Sequence, residues 1–332
     1  MVADHLVDPT AVTHQRDVAI PDASCHPTES SAGKLVLVTA GDQLLADAFT
    51  EHRTHLVGVA YRLTSSVADA EDAVQESWFR LSALTASART EIRDLRAWLT
   101  TVVGRICLDR LRSAAVRRER YVGSWLPEPL VTTGNEPLDA VVRDDGMRMA
   151  ALVVLDRLSP EQRVAFVLHD AFGLPFSEIA DALGCPVATA RQHASRGRKA
   201  AADAEPPPRV ALDEQREVLE RFLAAVASGD VNAVLGVLHP DVVVIGDGGG
   251  KARTTVNVIA GADKVARFLV GITRKYGGLP GGTVVLVNGD LGMVLPASAD
   301  VSARVNSFAV RDGKVVAIYD VVNPDKLGHV RF

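Results

Sequence analysis

The densest run of recognition chemistry lies between Ser159 and Lys199, SPEQRVAFVLHDAFGLPFSEIADALGCPVATARQHASRGRK. Its last part offers Thr189, Arg191, Gln192, Ser195, Arg196, Arg198 and Lys199, with no acid between Val187 and Ala202. Arg and Gln read base edges in the major groove, while cationic, amide and hydroxyl groups hold phosphates. A second basic concentration runs from Arg93 to Arg120, where eight Arg stand against Asp94, Asp109 and Glu119. Such an excess fits phosphate binding, although basic charge near a helix C-terminus also complements the helix dipole. Acid–base chemistry is thinly represented. His239, Asp241, Asp247 and Asp290 are the tempting groups, no nucleophile–base pair stands beside them, and His239 reads as a polar group at a helix end. GDGGGK at Gly246 to Lys251 is one residue short of a phosphate loop, has Ala252 where a hydroxyl is needed, and leads into a strand. Cys25, Cys107 and Cys185 are isolated, which argues against a zinc site or disulfide framework and fits a reducing compartment. No enzyme activity, metal or cofactor is expected.

Elements must position these groups. Ile179, Ala180 and Leu183 put one apolar stripe on a short helix from Phe176 to Leu183. Gly184 follows where a left-handed residue ends a helix cheaply, and Pro186 is tolerated at the start of the next helix, from Val187. Two short helices with a glycine turn and a basic second helix make a helix-turn-helix DNA reader. A helical hairpin with a solvated basic face is the plainer alternative. His193 falls where such a helix presents an apolar residue, so a packed neutral His is expected.

Upstream, Leu45, Phe49, His52, Leu56, Val59 and Leu63 repeat at helical spacing, and Thr64–Ser65–Ser66 breaks the pattern. The next helix buries Ala70, Val74, Trp78 and Leu81 and turns Asp69, Glu71, Asp72, Gln75 and Glu76 outward. The third long helix has a broad apolar face through Leu95, Trp98, Leu99, Val102, Val103, Ile106 and Leu111, with Arg over the remainder.

In order and spacing, VAYRLTSSVADAEDAVQESWFRL, RDLRAWLTTVVGRICLDRLRS and the helix-turn-helix run resemble an extracytoplasmic-function sigma factor of bacterial RNA polymerase. The resemblance covers about residues 43 to 202. It implies that Asp72, Gln75 and Glu76 grip the clamp helices of core polymerase. It implies a −10 element reader from Trp98, Arg105, Asp109, Arg110, Arg112, Arg117 and Arg118, and a −35 reader from the helix beginning at Val187. Trp125, Leu126, Pro127, Glu128 and Pro129 form a stiff WLPEP segment like the linker motif of one sigma-factor group that carries an extra C-terminal domain. In that group a DGGGK-like loop and an NPDKL segment recur. Here they are Asp247, Gly248, Gly249, Gly250 and Lys251, and Asn323, Pro324, Asp325, Lys326 and Leu327.

The C-terminal third reads as an amphipathic helix from Leu212 to Gly229, a shorter helix capped by Asp230 and running to His239–Pro240, and strands at Val242–Ile245 and Val256–Ile259. A helix over Ala262–Tyr276 follows, then strands at Val284–Val287, Ala303–Val310 and Val315–Val321. Asp312–Gly313 signals a hairpin between the last two. This alternation resembles the SnoaL-like fold, an α+β cone whose curved antiparallel sheet leaves a pocket.

The expected architecture is multidomain: a mobile tail over 1–40, an all-α sigma domain over 41–120, and the linker over 121–145. The helix-turn-helix domain spans 146–203, a Pro-rich joint acting as a hinge 204–211, and the SnoaL-like domain 212–332. Net charge is −5, with 36 Lys and Arg against 41 Asp and Glu; local patches rather than that total decide attraction to DNA. No signal peptide or membrane-length apolar run is present, so a cytoplasmic location is expected. The reading that follows is a promoter-recognition subunit that partners core RNA polymerase and promoter DNA, regulated in cis by contact of the C-terminal domain with the sigma domains. A small-molecule ligand in that domain is an option. The alternatives are a helix-turn-helix regulator independent of polymerase, and a ligand-binding or isomerase domain fused to a DNA reader.

Overall fold

A computed structural model describes residues 40–118, 121–132, 147–277 and 281–332. The expected mobile tail over 1–40 lies almost wholly outside them, as do the side chains of Arg117 and Arg118. Helices α1 (Ala40–Thr64), α2 (Val67–Ser82), α3 (Ala86–Thr90) and α4 (Leu95–Arg118) form the first block. The expected break between α1 and α2 is real: Ser65 takes φ +57° and Ser66 caps α2 by accepting the Asp69 N–H.

The second block is α5 (Met149–Leu155), α6 (Pro160–Phe166), α7 (Phe176–Leu183) and α8 (Val187–Asp203), with α6 running on into a π-helical turn over Val167–Ala171. Ser159 and Gln162 cap α6 reciprocally, an arrangement that satisfies two otherwise orphaned N–H groups. Gly184 closes α7 at φ +65°, as its position demands. Gly197 has a different task. A Cβ there would stand 2.9 Å from both the Gln162 carbonyl oxygen and the Phe166 Cβ, so only glycine lets α8 lie this close to α6.

The two helical blocks share one buried cluster that runs from Phe49 through Leu99 and Ile106 to Leu168, Ile179 and Ala194. The close approach is made at Gly104, where a Cβ would meet Leu168 Cδ1 at 2.8 Å. Arg163, 1% exposed, crosses the same boundary: it donates to the Arg62 carbonyl at 2.8 Å and Ser65 Oγ at 2.6 Å and pairs with Asp156.

The C-terminal third is the α+β arrangement expected from the resemblance. Helices α9 (Leu212–Ser228), α10 (Val231–Val237) and α11 (Ala262–Tyr276) pack on one face of an open sheet. Its strands are β2 (Leu238–Asp247), β3 (Ile259–Ala260), β4 (Thr283–Val287), β5 (Asp290–Leu295), β6 (Arg304–Arg311) and β7 (Lys314–Val321). The order is β1-β4-β5-β6-β7-β2-β3, where β1 (Val131–Thr132) comes from the linker and pairs antiparallel with β4. All neighbours are antiparallel except β2 and β7, which run parallel.

Three expectations shift. The helix capped by Asp230 ends at Val237, and His239–Pro240 open β2, where the register slips between Leu238 and Val243, as an N–H-less residue requires. The strand expected over Val256–Ile259 shrinks to Ile259–Ala260, because Val256 and Val258 face solvent. Strand β5 was not anticipated, although Asn288–Gly289 before it, at φ +53° and +82°, is an Asn-Gly hairpin signal.

The second face of the sheet is not left to water. Leu126 from the linker, Met149, Ala150 and Val153 from α5, and Leu327 and Val330 near the end of the chain cover it, against Val287, Val305, Ala317 and Tyr319. The expected hinge over 204–211 is stitched at two carbonyls, Pro207 to Arg148 at 3.0 Å and Glu205 to Arg311 at 2.8 Å.

Candidate nucleic-acid interface

On α8, Arg191, Gln192, Ser195, Arg196, Arg198 and Lys199 are exposed and Thr189 is half-buried. Every third or fourth residue from Ala190, through Ala194 to Gly197, is instead buried against α6 and α7. This leaves one continuous polar and basic face, the geometry a helix needs to enter a groove. Arg191 lies over the Phe176 ring, 5.6 Å from its centre, and Arg198 makes a two-pronged pair with Asp170 at 2.8 and 2.9 Å. His193 is half-buried, as its apolar position suggested.

The described basic side chains of α4 are engaged within the chain. Arg105 donates to the Asp181 carbonyl of α7 at 2.6 Å, and Arg112 pairs with Glu161 of α6 at 2.9 Å. Arg110 reaches α2, pairing with Asp69 at 3.0 Å and Asp72 at 3.4 Å. Asp109 is exposed, and Trp98 is half-buried against the shared core. Glu161 lies below its ordinary pKa: burial opposes this, but its own backbone N–H and Arg112 prevail.

On α2, Asp72 and Gln75 are exposed while Glu76 pairs with Arg80 at 2.5 Å. With Phe49, Arg53 and Trp78 the first two line a groove of about 470 Å³ between α1 and α2. Asp72 and Gln75 thus flank an aromatic floor made where Phe49 and Trp78 meet at 5.2 Å.

The WLPEP, DGGGK and NPDKL segments meet in one place. Asp247, fully buried at the end of β2, accepts the Leu126 N–H at 2.8 Å, the Lys326 ammonium at 2.6 Å and the Tyr121 hydroxyl. Lys326 also donates to the Leu126 carbonyl, and its ammonium sits 3.1 Å from the centre of the Trp125 ring. Asn323 donates to the Tyr121 hydroxyl at 2.8 Å. Burial, and then Asp247 as hydrogen-bond partner and negative neighbour, push the Tyr121 phenol up. Gly249 and Gly250, at φ +58° and +72°, let the loop after β2 close over this cluster. A Cβ on the first would stand 2.4 Å from Asn323 Nδ2 and on the second 3.2 Å from Val122 Cβ. Gly248 turns that loop by accepting the Lys251 N–H at 2.9 Å, and Lys251 pairs with Asp325 at 2.5 Å in solvent. Pro127, Pro129 and Leu327 are buried and Pro324 is exposed.

Glu128 carries the contact into the first helical block. Its carboxylate accepts the Val67 N–H at the start of α2 at 2.7 Å, and its carbonyl accepts the Tyr61 hydroxyl at 2.5 Å. His329 closes on it from the other side: Nδ1 lies 3.1 Å from Glu128 and Nε2 2.8 Å from the Pro129 carbonyl. Both ring nitrogens meet acceptors, so the imidazole must carry two protons to satisfy them. Burial lowers its pKa, but the Glu128 and Pro129 bonds outweigh that and hold it above the ordinary histidine value.

Sequence reasoning missed two further anchors. Asn288, in the β4–β5 turn, donates to the Tyr61 hydroxyl at 2.8 Å and the Met147 carbonyl at 2.9 Å, and accepts the Leu130 N–H at 3.1 Å. Arg148 pairs with Asp290 at 2.7 Å in a site where Gln215 also donates to Asp290 at 3.0 Å. Of the groups that tempted a catalytic reading, Asp247 and Asp290 are buried anchors, and His239 lies between the exposed Asp241 and Asp312 at 3.8 and 3.9 Å.

Family models for sigma-70 region 2 and sigma-70 region 4 match residues 48–117 and 148–200. The extracytoplasmic-function RNA polymerase sigma factor SigJ of Mycobacterium tuberculosis is 50% identical over 294 residues, 84% of this chain and 91% of that protein. The probable sigma factor SigI of the same species is 34% identical over 86% of this chain and 95% of its own length. The crystal structure of M. tuberculosis SigJ superposes with a TM-score of 0.71 at 47% identity, covering 85% of this chain and 98% of that one. The shared helical core, the exposed basic helix and the relatives that span the C-terminal part agree, and the chain belongs to the extracytoplasmic-function sigma factors of RNA polymerase.

Proposed function

We propose that the chain is a promoter-recognition subunit whose α4 and α8 read the −10 and −35 elements, and whose C-terminal part restrains that activity in cis. As a sigma factor it directs transcription initiation with core polymerase; the assignment of individual residues is our own reading. Asp72 and Gln75 are the exposed grip on the clamp helices of the core. Arg191, Gln192, Arg196 and Lys199 reach base edges and phosphates of the −35 duplex. Arg105, Arg110 and Arg112 serve the −10 element once released from their intramolecular partners. The protein acts by binding, and we assign it no catalysis.

The observation that carries restraint is the buried cluster of Asp247, Lys326 and the WLPEP segment. It fixes the linker between the sigma blocks while Arg105 and Arg112 are occupied by α7 and α6. An extended reader spanning two promoter elements requires that linker to be let go.

The test is initiation by purified core polymerase supplied with the full chain, with Lys326→Met, or with a truncation just before Asn323. Restraint predicts more open complex from both altered chains than from the full chain. Equal output from all three would refute it. Alanine at Asp72 together with Gln75 should weaken capture of core polymerase. Tight promoter binding by the chain without core would favour an independent regulator.

A further inference from the structure

The cone holds a cavity of about 520 Å³ between α9, α11 and the inner face of the sheet. That volume falls in the range of small-molecule pockets, which are mostly apolar with a few placed polar groups. Its floor is Phe222, Val226, Met293, Phe308 and Ile318. None of the contacts that tie the C-terminal part to the helical blocks passes through that floor.

Charge at the wall decides what can enter. Asp320, 8% exposed, already accepts from Thr254 Oγ1 at 2.6 Å, Asn306 Nδ2 at 2.8 Å and Arg304 at 3.3 Å. A carboxylate with three donors in place has little left for a cationic guest. Arg267 is matched by Asp263 at 2.9 Å. Two cations remain at the wall. Arg253 is exposed, with no hydrogen-bond or ion-pair partner among the described residues, and the Lys275 ammonium lies over the ring of its neighbour Tyr276, 5.0 Å from its centre. Against them stands Asp300. The balance is an apolar interior beneath a rim with one positive charge in excess.

We propose that this cavity binds a small organic anion with an apolar body, its acid group held by Arg253 and Lys275 and its chain lying on Phe222, Met293 and Phe308. The site is separate from the Asp247–Lys326 cluster and does not depend on the restraint described above. It does share a loop with it: residues 248–255 bring Lys251 and Gly249 to the NPDKL segment and Arg253 and Thr254 to the cavity wall.

The experiment is calorimetric titration of the full chain with decanoate below its micellar concentration, beside decanol and decylamine. One decanoate per chain is expected, with decanol bound at least about tenfold more weakly, since the alcohol offers the two cations no charge-assisted hydrogen bond. Decylamine should not bind. The double variant Arg253→Glu, Lys275→Glu changes two exposed side chains and should keep the unfolding temperature of the ligand-free chain while losing at least about tenfold in decanoate affinity. No heat with decanoate, equal binding of decanol, or an unchanged affinity in the double variant would each overturn the assignment.

Discussion

Lys326 places one ammonium between the Asp247 carboxylate, the Leu126 carbonyl and the Trp125 ring, at 5% residue exposure. Removing one partner of such a pair leaves the other charge buried without compensation, which typically costs about 3–5 kcal/mol. Lys326→Met should lower the urea midpoint accordingly, and adding Asp247→Asn should recover part of the loss because the stranded charge is gone. A second variant that fares no better than the first would mean the pair carries no such coupling. His329 gives a pH signature. Its folded pKa is raised, so its stabilisation is complete below the unfolded value and fades as pH rises through the folded one. Thermal unfolding should therefore fall more between about pH 6 and pH 8 for the native chain than for His329→Gln. Equal slopes would place the imidazolium outside the energetics of the Glu128 contact. Neither residue announced its partner in the sequence. NPDKL and DGGGK were legible as segments, but that Lys326 faces Asp247, 79 residues away, is a product of the fold.

At the scale of elements, α8 is positioned by glycine as much as by its apolar stripe. Gly197→Ala would force a methyl to within 2.9 Å of a backbone carbonyl on α6. Overpacking of this kind costs about 1–3 kcal/mol. The loss should appear in chemical denaturation and in weakened promoter binding together, whereas Ser195→Ala on the exposed face should weaken binding alone. The helix-turn-helix was readable to the residue over its first helix and at the start of its second, because periodicity, Gly184 and Pro186 agree there. Strand β5 was not, because Asp290–Leu295 carries one β-branched residue, Val294, and holds Gly292 at its centre. Strand β1 had no local signal at all: two residues, Val131 and Thr132, become a strand only because β4 offers them an edge.

The whole molecule departs most from what its sequence suggests in the separateness of its parts. Composition and prolines read as domains on a string. One buried cluster instead unites both helical blocks, another joins the linker and α5 to the sheet, and the Pro-rich joint is tied at two carbonyls. These long-range unions depend on Gly104, Arg163, Asn288 and Arg148, each of which looks ordinary in its own stretch of chain. Small-angle scattering should accordingly give a larger radius of gyration for Lys326→Met than for the native chain if the latch governs the arrangement. Identical curves would show that the shared core alone holds it shut.

The 200 residues between Lys326 and Leu126 also set a clock. Translation at roughly 5–20 residues per second completes α8, which ends at Asp203, about 6–25 s before the lysine that holds the linker is made. Under the restraint proposed above, each newly made copy begins life unlatched, and the interval in which nascent or just-released chains meet polymerase is set by elongation speed through the C-terminal part. Slow codons downstream of residue 203 would lengthen that interval, and silent substitutions there would change early promoter occupancy without altering a single side chain.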